Sequence, residues 1–214
     1  MIHQRNQLID GAVGQLETIF EQPDDVRAVG LVCHPHPQFQ GAMTNKVAHT
    51  LARAMLDEGV AALRFNFRGV GQSEGDYDHG VGEVADALAA AEWLARQYPT
   101  LPMVISGFSF GARVAILAAS RRPCEALISV APAVALNFAL PFEHPNVPWL
   151  VVQGDADELV ACDDVIGWTQ TLDPRPDVEV MAGVGHFFHA NLTRLRERVR
   201  QFLIDGGVVV ATKP

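Results

Sequence analysis

The chain has 214 residues, 49% hydrophobic and 19% charged, with 25 acidic against 16 basic side chains for a formal net charge of −9. That length suits one well-packed domain, residues 1–214, expected to bury roughly 70% of its unfolded surface without a disulfide or metal staple. An acidic surface repels phosphate backbones and anionic lipid, and no stretch approaches the ~18–20 apolar residues of a membrane span, so nucleic-acid and membrane roles are excluded as first readings.

The opening, up to about Glu21, is mixed in pattern and fits one or two antiparallel edge strands. Residues 28–33 (AVGLVC) form a short apolar strand, ended by the proline-rich loop His34-Pro35-His36-Pro37. Val47, Leu51, Ala54 and Met55 stand at helical spacing from 46 to 58, and Gly59 stops that helix. A strand over 60–67 leads into a glycine-rich turn at 68–75. An amphipathic helix follows, with Val84, Ala87, Leu88, Ala91 and Leu94 inward and Glu83, Glu92 and Arg96 outward. Strands at 103–106, 126–130, 149–153 and 178–181 then alternate with helices at 111–120 and 163–172. A last helix sets Leu195, Val199, Phe202 and Leu203 against solvated arginines.

Strands separated by crossover helices predict an α/β fold with a mostly parallel central sheet and helices on both faces. Ligands of such sheets gather outside the carboxyl ends of the strands, so the chemical residues are expected just after strands. Cys33, Cys124 and Cys162 are unclustered and lack a C-x-x-C pair, which suits reduced thiols in a cytoplasmic protein. The first residues carry no apolar leader segment.

Gly107-Phe108-Ser109-Phe110-Gly111 matches G-x-S-x-G between a predicted strand and a predicted helix. With 18 glycines in the chain, about 0.03 chance matches are expected. Small residues two before and two after relieve the sharp turn. The helix N-terminus aims N–H groups and positive dipole at charge developing on a substrate. Ser109 is the candidate nucleophile, and the Phe110 N–H one oxyanion donor.

A serine hydroxyl needs a neighbouring base. Of eight histidines, His186 alone lies in the loop between the last strand and the last helix, with His189 as fallback. The orienting carboxylate falls in Gly154-Asp155-Ala156-Asp157-Glu158, in the chain order Ser…Asp…His. Asp157 is favoured because it lies deeper in the loop, and Asp155 is left to hydrogen-bond the turn. The second oxyanion donor comes from the loop after residue 33, where prolines leave N–H groups only on His34, His36 and Gln38. The His36 N–H is preferred and Gln38 second. His34 and His36 form an H-x-H pair without further ligands at suitable spacing, so no metal is assigned; His34 is expected to brace the loop from beneath.

Together, the CHPHP run at 33–37, Gly41 with Asn45-Lys46-Val47, RFNFRGVGQSEG at 64–75, the 107–111 elbow, Gly154-Asp155-Ala156-Asp157 and Gly185-His186-Phe187-Phe188 resemble a group of small bacterial α/β-hydrolases. That group is related to esterases and dienelactone-hydrolase-like enzymes. The resemblance spans most of the chain. It implies an α/β-hydrolase fold and a Ser109–His186–Asp157 triad, and says little about substrate. Gln40 departs from it where relatives often carry a second glycine beside Gly41. Asn66 replaces the aspartate of the D-x-R-G-x-G-x-S turn, a change expected to leave the chemistry intact.

Only about 18 residues separate the strands at 126–130 and 149–153, too few for a sizeable helical lid. Gln38, Phe39, Phe108, Phe138 and Phe187 are the expected substrate-binding wall. The expected activity is hydrolysis of a small-molecule carboxylic ester or thioester through an acyl-enzyme, without cofactor. Lactonase, peptidase and perhydrolase chemistry remain alternatives for the same machinery, and oligomeric state is not legible.

Overall fold

The computed structural model describes residues 1–136 and 140–209. Among these residues eight strands and five α-helices follow in chain order: β1 (Ile2–Asp10), β2 (Gln15–Pro23), β3 (Ala28–Cys33), α1 (Lys46–Asp57), β4 (Val60–Phe65), α2 (Val81–Gln97), β5 (Met103–Phe108), α3 (Phe110–Ala119), β6 (Ala126–Val130), β7 (Trp149–Gly154), α4 (Cys162–Gln170), β8 (Asp177–Met181) and α5 (Leu192–Asp205). The strands form one sheet in the order β1-β2-β4-β3-β5-β6-β7-β8. β1 pairs antiparallel with β2, and β2 with β4; every later pairing is parallel.

The burial pattern explains the layering. β3 to β7 are buried along their whole length, as expected of parallel strands covered on both faces. Alternate residues divide between two cores. Val29, Leu31, Leu63, Ile105, Leu127 and Val151 pack with α2, α3 and α4. Ala28, Val32, Ala62, Val104, Ile128 and Val152 pack with α1 and α5 on the opposite face. β1 and β2 continue the sheet as a hairpin, and β1 buries only Ile9.

Strand order reverses at β3, which has β4 on one side and β5 on the other. The loops leaving β3 and β5 therefore diverge at the carboxyl edge and open a crevice there. β4 ends at Phe65, two residues earlier than the pattern predicts, because its continuation leaves the ladder. The N–H of Asn66 still meets Glu17 O in register with β2, but that of Phe67 goes to His34 Nε2 and that of Arg68 to Asp86. Of the connection between β6 and β7, residues 131–136 and 140–148 contain no helix. Among the described residues no helix is long and apolar enough to cross a membrane.

Candidate active site

Ser109 stands between the last residue of β5 and the first of α3 with φ 56° and ψ −117°, a sparsely populated conformation for a residue with a Cβ. Two glycines make the turn possible. A Cβ on Gly107 would lie 2.1 Å from Gly111 O, and one on Gly111 would lie 2.3 Å from both Cys33 O and His34 O. The second contact matters beyond the turn itself, because it seats the β3 loop directly against the start of α3. The Ser109 N–H donates to Val130 O at 2.9 Å, and its carbonyl accepts from Ala112 at 3.0 Å.

His186 Nε2 lies 3.1 Å from Ser109 Oγ, and His186 Nδ1 lies 2.8 Å from Asp157 Oδ2. The Asp157 side chain is fully buried and that of His186 nearly so. Burial pushes the Asp157 carboxyl upward, but hydrogen bonds from His186, Val160 and Leu159 outweigh it and hold the group below its ordinary value. Its Oδ1 accepts the N–H groups of Leu159 at 2.9 Å and Val160 at 2.7 Å. A hydroxyl, an imidazole and a buried carboxylate in one hydrogen-bonded line can move a proton off the serine and stabilise the imidazolium that forms.

Asp155 does a different job. Its Oδ1 accepts the Gly183 N–H at 2.6 Å and ties the loop after β7 to the loop after β8. Gly154 makes the same junction possible, since a Cβ there would lie 2.0 Å from Val184 O. Two further groups on this side escaped the sequence reading. Glu158 Oε2 accepts the His186 backbone N–H at 3.1 Å, and Gln153 Nε2 donates to Asp157 Oδ2 at 3.0 Å. Gln153 was detectable in principle as the lone long polar side chain in the apolar strand WLVVQG. His189 is exposed and precedes α5, which begins at Leu192, and the histidine that hydrogen-bonds Ser109 is His186.

The β3 loop is held by its two histidines. Buried His34 accepts the Phe67 N–H on Nε2 at 3.1 Å, so its proton is on Nδ1, which donates to Pro35 O at 2.6 Å. Burial, only partly opposed by that carbonyl, lowers its pKa to about 3 and keeps the ring neutral. His36 is half-buried, and burial lowers its pKa as well. Its Nδ1 accepts the Gln38 N–H at 3.2 Å, and Nε2 faces Tyr77 Oη at 3.2 Å. The Gln38 N–H is therefore engaged, which removes the second choice of oxyanion donor. Gln40 adopts the left-handed conformation with φ 62°, the region glycine enters most easily. Asn66 accepts the Met43 N–H at 2.8 Å and donates to Glu17 Oε2 at 2.8 Å, and an aspartate could not make the second bond.

A cavity of about 350 Å³ opens over Ser109 and His186. His36, Phe39, Phe110 and residues 133–136 and 159–161 line it, and Asp164 is the only acid on its wall among the described residues. Three of the expected wall residues need correcting. Phe108 is fully buried on the α1/α5 face, because alternation along β5 turns it away from the cavity, and its ring supports His186 at 4.9 Å. Phe187 packs edge-on against His186 at 5.2 Å without lining the cavity, and Gln38 is exposed outside it. Phe39 does line it, while Phe138 lies outside the described residues.

The family model described as Serine aminopeptidase, S33 matches residues 40–144. An α/β serine hydrolase homologue from Coxiella burnetii is 41% identical, with 94% of this chain and 97% of that one covered and a TM-score of 0.89. An α/β serine hydrolase without lid from Xanthomonas campestris is 39% identical over 99% of this chain and 97% of its own, with a TM-score of 0.91. An uncharacterised protein of Rickettsia prowazekii is 35% identical over 206 residues, 91% of this chain and 87% of its own. The chain belongs to the lidless α/β serine hydrolases.

Proposed function

We propose that this lidless α/β serine hydrolase cleaves carboxylic esters or thioesters of small to medium acyl groups, with Ser109 as nucleophile, His186 as base and Asp157 as its orienting acid. The observation that carries the reading is the unbroken line from Asp157 Oδ2 through His186 to Ser109 Oγ, with steps of 2.8 and 3.1 Å, at a cavity whose walls are mostly apolar. Ser109 attacks the carbonyl as His186 Nε2 takes its proton. The N–H groups of Phe110 and His36 hold the oxyanion at the positive end of α3. His186 then protonates the leaving group, and water activated by the same ring releases the acyl group and regenerates the serine. No lysine or arginine lines the described cavity, which favours neutral acyl groups over anionic ones.

One experiment tests the whole reading: turnover of a p-nitrophenyl ester series from acetate to laurate, wild type beside Ser109→Ala, with fluorophosphonate labelling in parallel. The expected outcome is serine-dependent turnover with an optimum in acyl length and a loss of about 10³-fold or more in the variant. Equal rates in both proteins would overturn the mechanism. A second reading, amide or peptide cleavage at an N-terminal residue, is supported by the serine aminopeptidase match and by Asp164, whose carboxylate suits a free ammonium group. Faster turnover of aminoacyl p-nitroanilides than of esters would select it.

A further inference from the structure

Along β7 the side chains of Trp149, Val151 and Gln153 alternate onto the same face, and the first two belong to the apolar core with α2, α3 and α4. Gln153 is fully buried and breaks that pattern with an amide at the carboxyl end of the strand. Its Nε2 donates to Asp157 Oδ2 and to Val160 O, each at 3.0 Å, with Gly154 O further off at 3.3 Å. Its Oε1 has no partner among the described residues. The amide is thus fixed in one orientation, because turning it over would set its oxygen against a carboxylate and a carbonyl. Leaving a buried carbonyl oxygen unpaired is unfavourable, and an apolar side chain would avoid that cost. What the amide supplies in return is two N–H groups, aimed at the acid and at the chain just beyond it.

Both targets belong to one short turn. Asp157 starts it, and Val160 lies on the cavity wall beside Leu159 and Ala161. The same turn is braced from inside by the Asp157 Oδ1 bonds to the Leu159 and Val160 N–H groups. We propose that Gln153 is a positioning residue that holds Asp157 against His186 and locks the carboxylate and the 159–161 wall together as one rigid unit. The inference rests on the triad reading above, and extends it to a fourth side chain that never touches substrate. Asp157 Oδ2 then accepts two bonds at once, one from His186 Nδ1 and one from Gln153 Nε2. Loss of the second leaves the imidazole as the one side-chain donor to Oδ2 and strengthens the carboxylate's pull on the imidazolium, so the pair releases its proton at higher pH.

The test compares wild type with Gln153→Met, which keeps length without donors, and Gln153→Glu, which keeps shape and can donate to Asp157 only when protonated. Single-turnover fluorophosphonate labelling and ester hydrolysis are followed from pH 5 to 9, with thermal unfolding alongside. Expected in Gln153→Met are a fall in kcat of about 10- to 100-fold, the cost of a small misplacement of a catalytic group, and an acid limb moved to higher pH. The acyl-length optimum broadens as the wall loosens. Gln153→Glu shows the larger displacement of the acid limb, because the ionised side chain places a second negative charge beside Asp157. If Gln153→Met fails to fold, the near-isosteric Gln153→Glu carries the test alone. Wild-type labelling rates and an unchanged acid limb in a folded variant overturn the inference, even if its melting temperature falls. Failure of wild type itself to label at Ser109 overturns the triad reading instead.

Discussion

Ser109 and His186 reach the same cavity by different routes. On the serine side, five consecutive residues contain nearly all the information: the end of β5, two glycines that admit a tight turn, and the first turn of α3. On the acid–base side, Asp157 and His186 are 29 residues apart, on loops from two different strands. Those loops meet because Gly154 lies under Val184 O, Asp155 reaches Gly183 and Glu158 reaches the His186 N–H. A local turn is specified by local spacing. A junction between loops is specified by contacts that exist only once the sheet has formed, which makes it the more sensitive half to quiet substitutions.

The sharpest test of that contrast is within one loop. Asp157→Asn removes the acceptor for the His186 Nδ1–H and is expected to lower kcat by up to about 10⁴-fold. Asp155→Ala removes only a tie to Gly183 and should cost less than about 10-fold. Ester hydrolysis by the two variants decides it, and equal losses would mean that loop geometry, not the carboxylate, is the important quantity.

Gly154→Ala probes the junction without touching any proposed catalytic group. Its new Cβ would lie 2.0 Å from Val184 O, so the loops must part. The expected result is about 10²-fold lower kcat from misplacement of His186 relative to Ser109, with about 1–3 kcal/mol lost in urea unfolding. Retained activity would show that the two loops close independently of this contact.

A pH-dependent effect concerns the serine side's support, the β3 loop. His34 titrates near pH 3 when folded against 6.5 ordinarily, so between those values the unfolded chain binds a proton that the folded chain refuses. Stability from this group is therefore complete above about pH 6.5. It falls as pH drops, at up to about 1.4 kcal/mol per unit. Asp157, held below its ordinary value, adds to the loss only at more acidic pH. Urea midpoints from pH 7.5 to 4.5 should fall in wild type and flatten in His34→Gln; parallel slopes would rule His34 out as the source.

What the sequence by itself determined is everything written in periodicity and short spacing. The alternation of strands and helices, the parallel sheet buried on both faces, the elbow at Ser109 and the placement of His186 after the last strand all follow from patterns a few residues long. Preference for Asp157 over Asp155 was also legible as depth in the loop, but not the reason: one carboxylate meets the imidazole and the other meets Gly183. Only the tertiary structure decided which side chains face the cavity. Phe108 is one residue from Ser109 yet is buried on the far face of the sheet, and the Gln38 N–H closes on the His36 ring. Gln153 looks like an exception in an apolar strand until Asp157 is folded back over it. Phe108 follows from alternation once β5 extends to it, and the physical reason is common to the other two. Spacing along a chain sets which face of an element a residue occupies, whereas the partner across a loop depends on how separate turns pack, and that packing is set by close contacts such as those at Gly111 and Gly154.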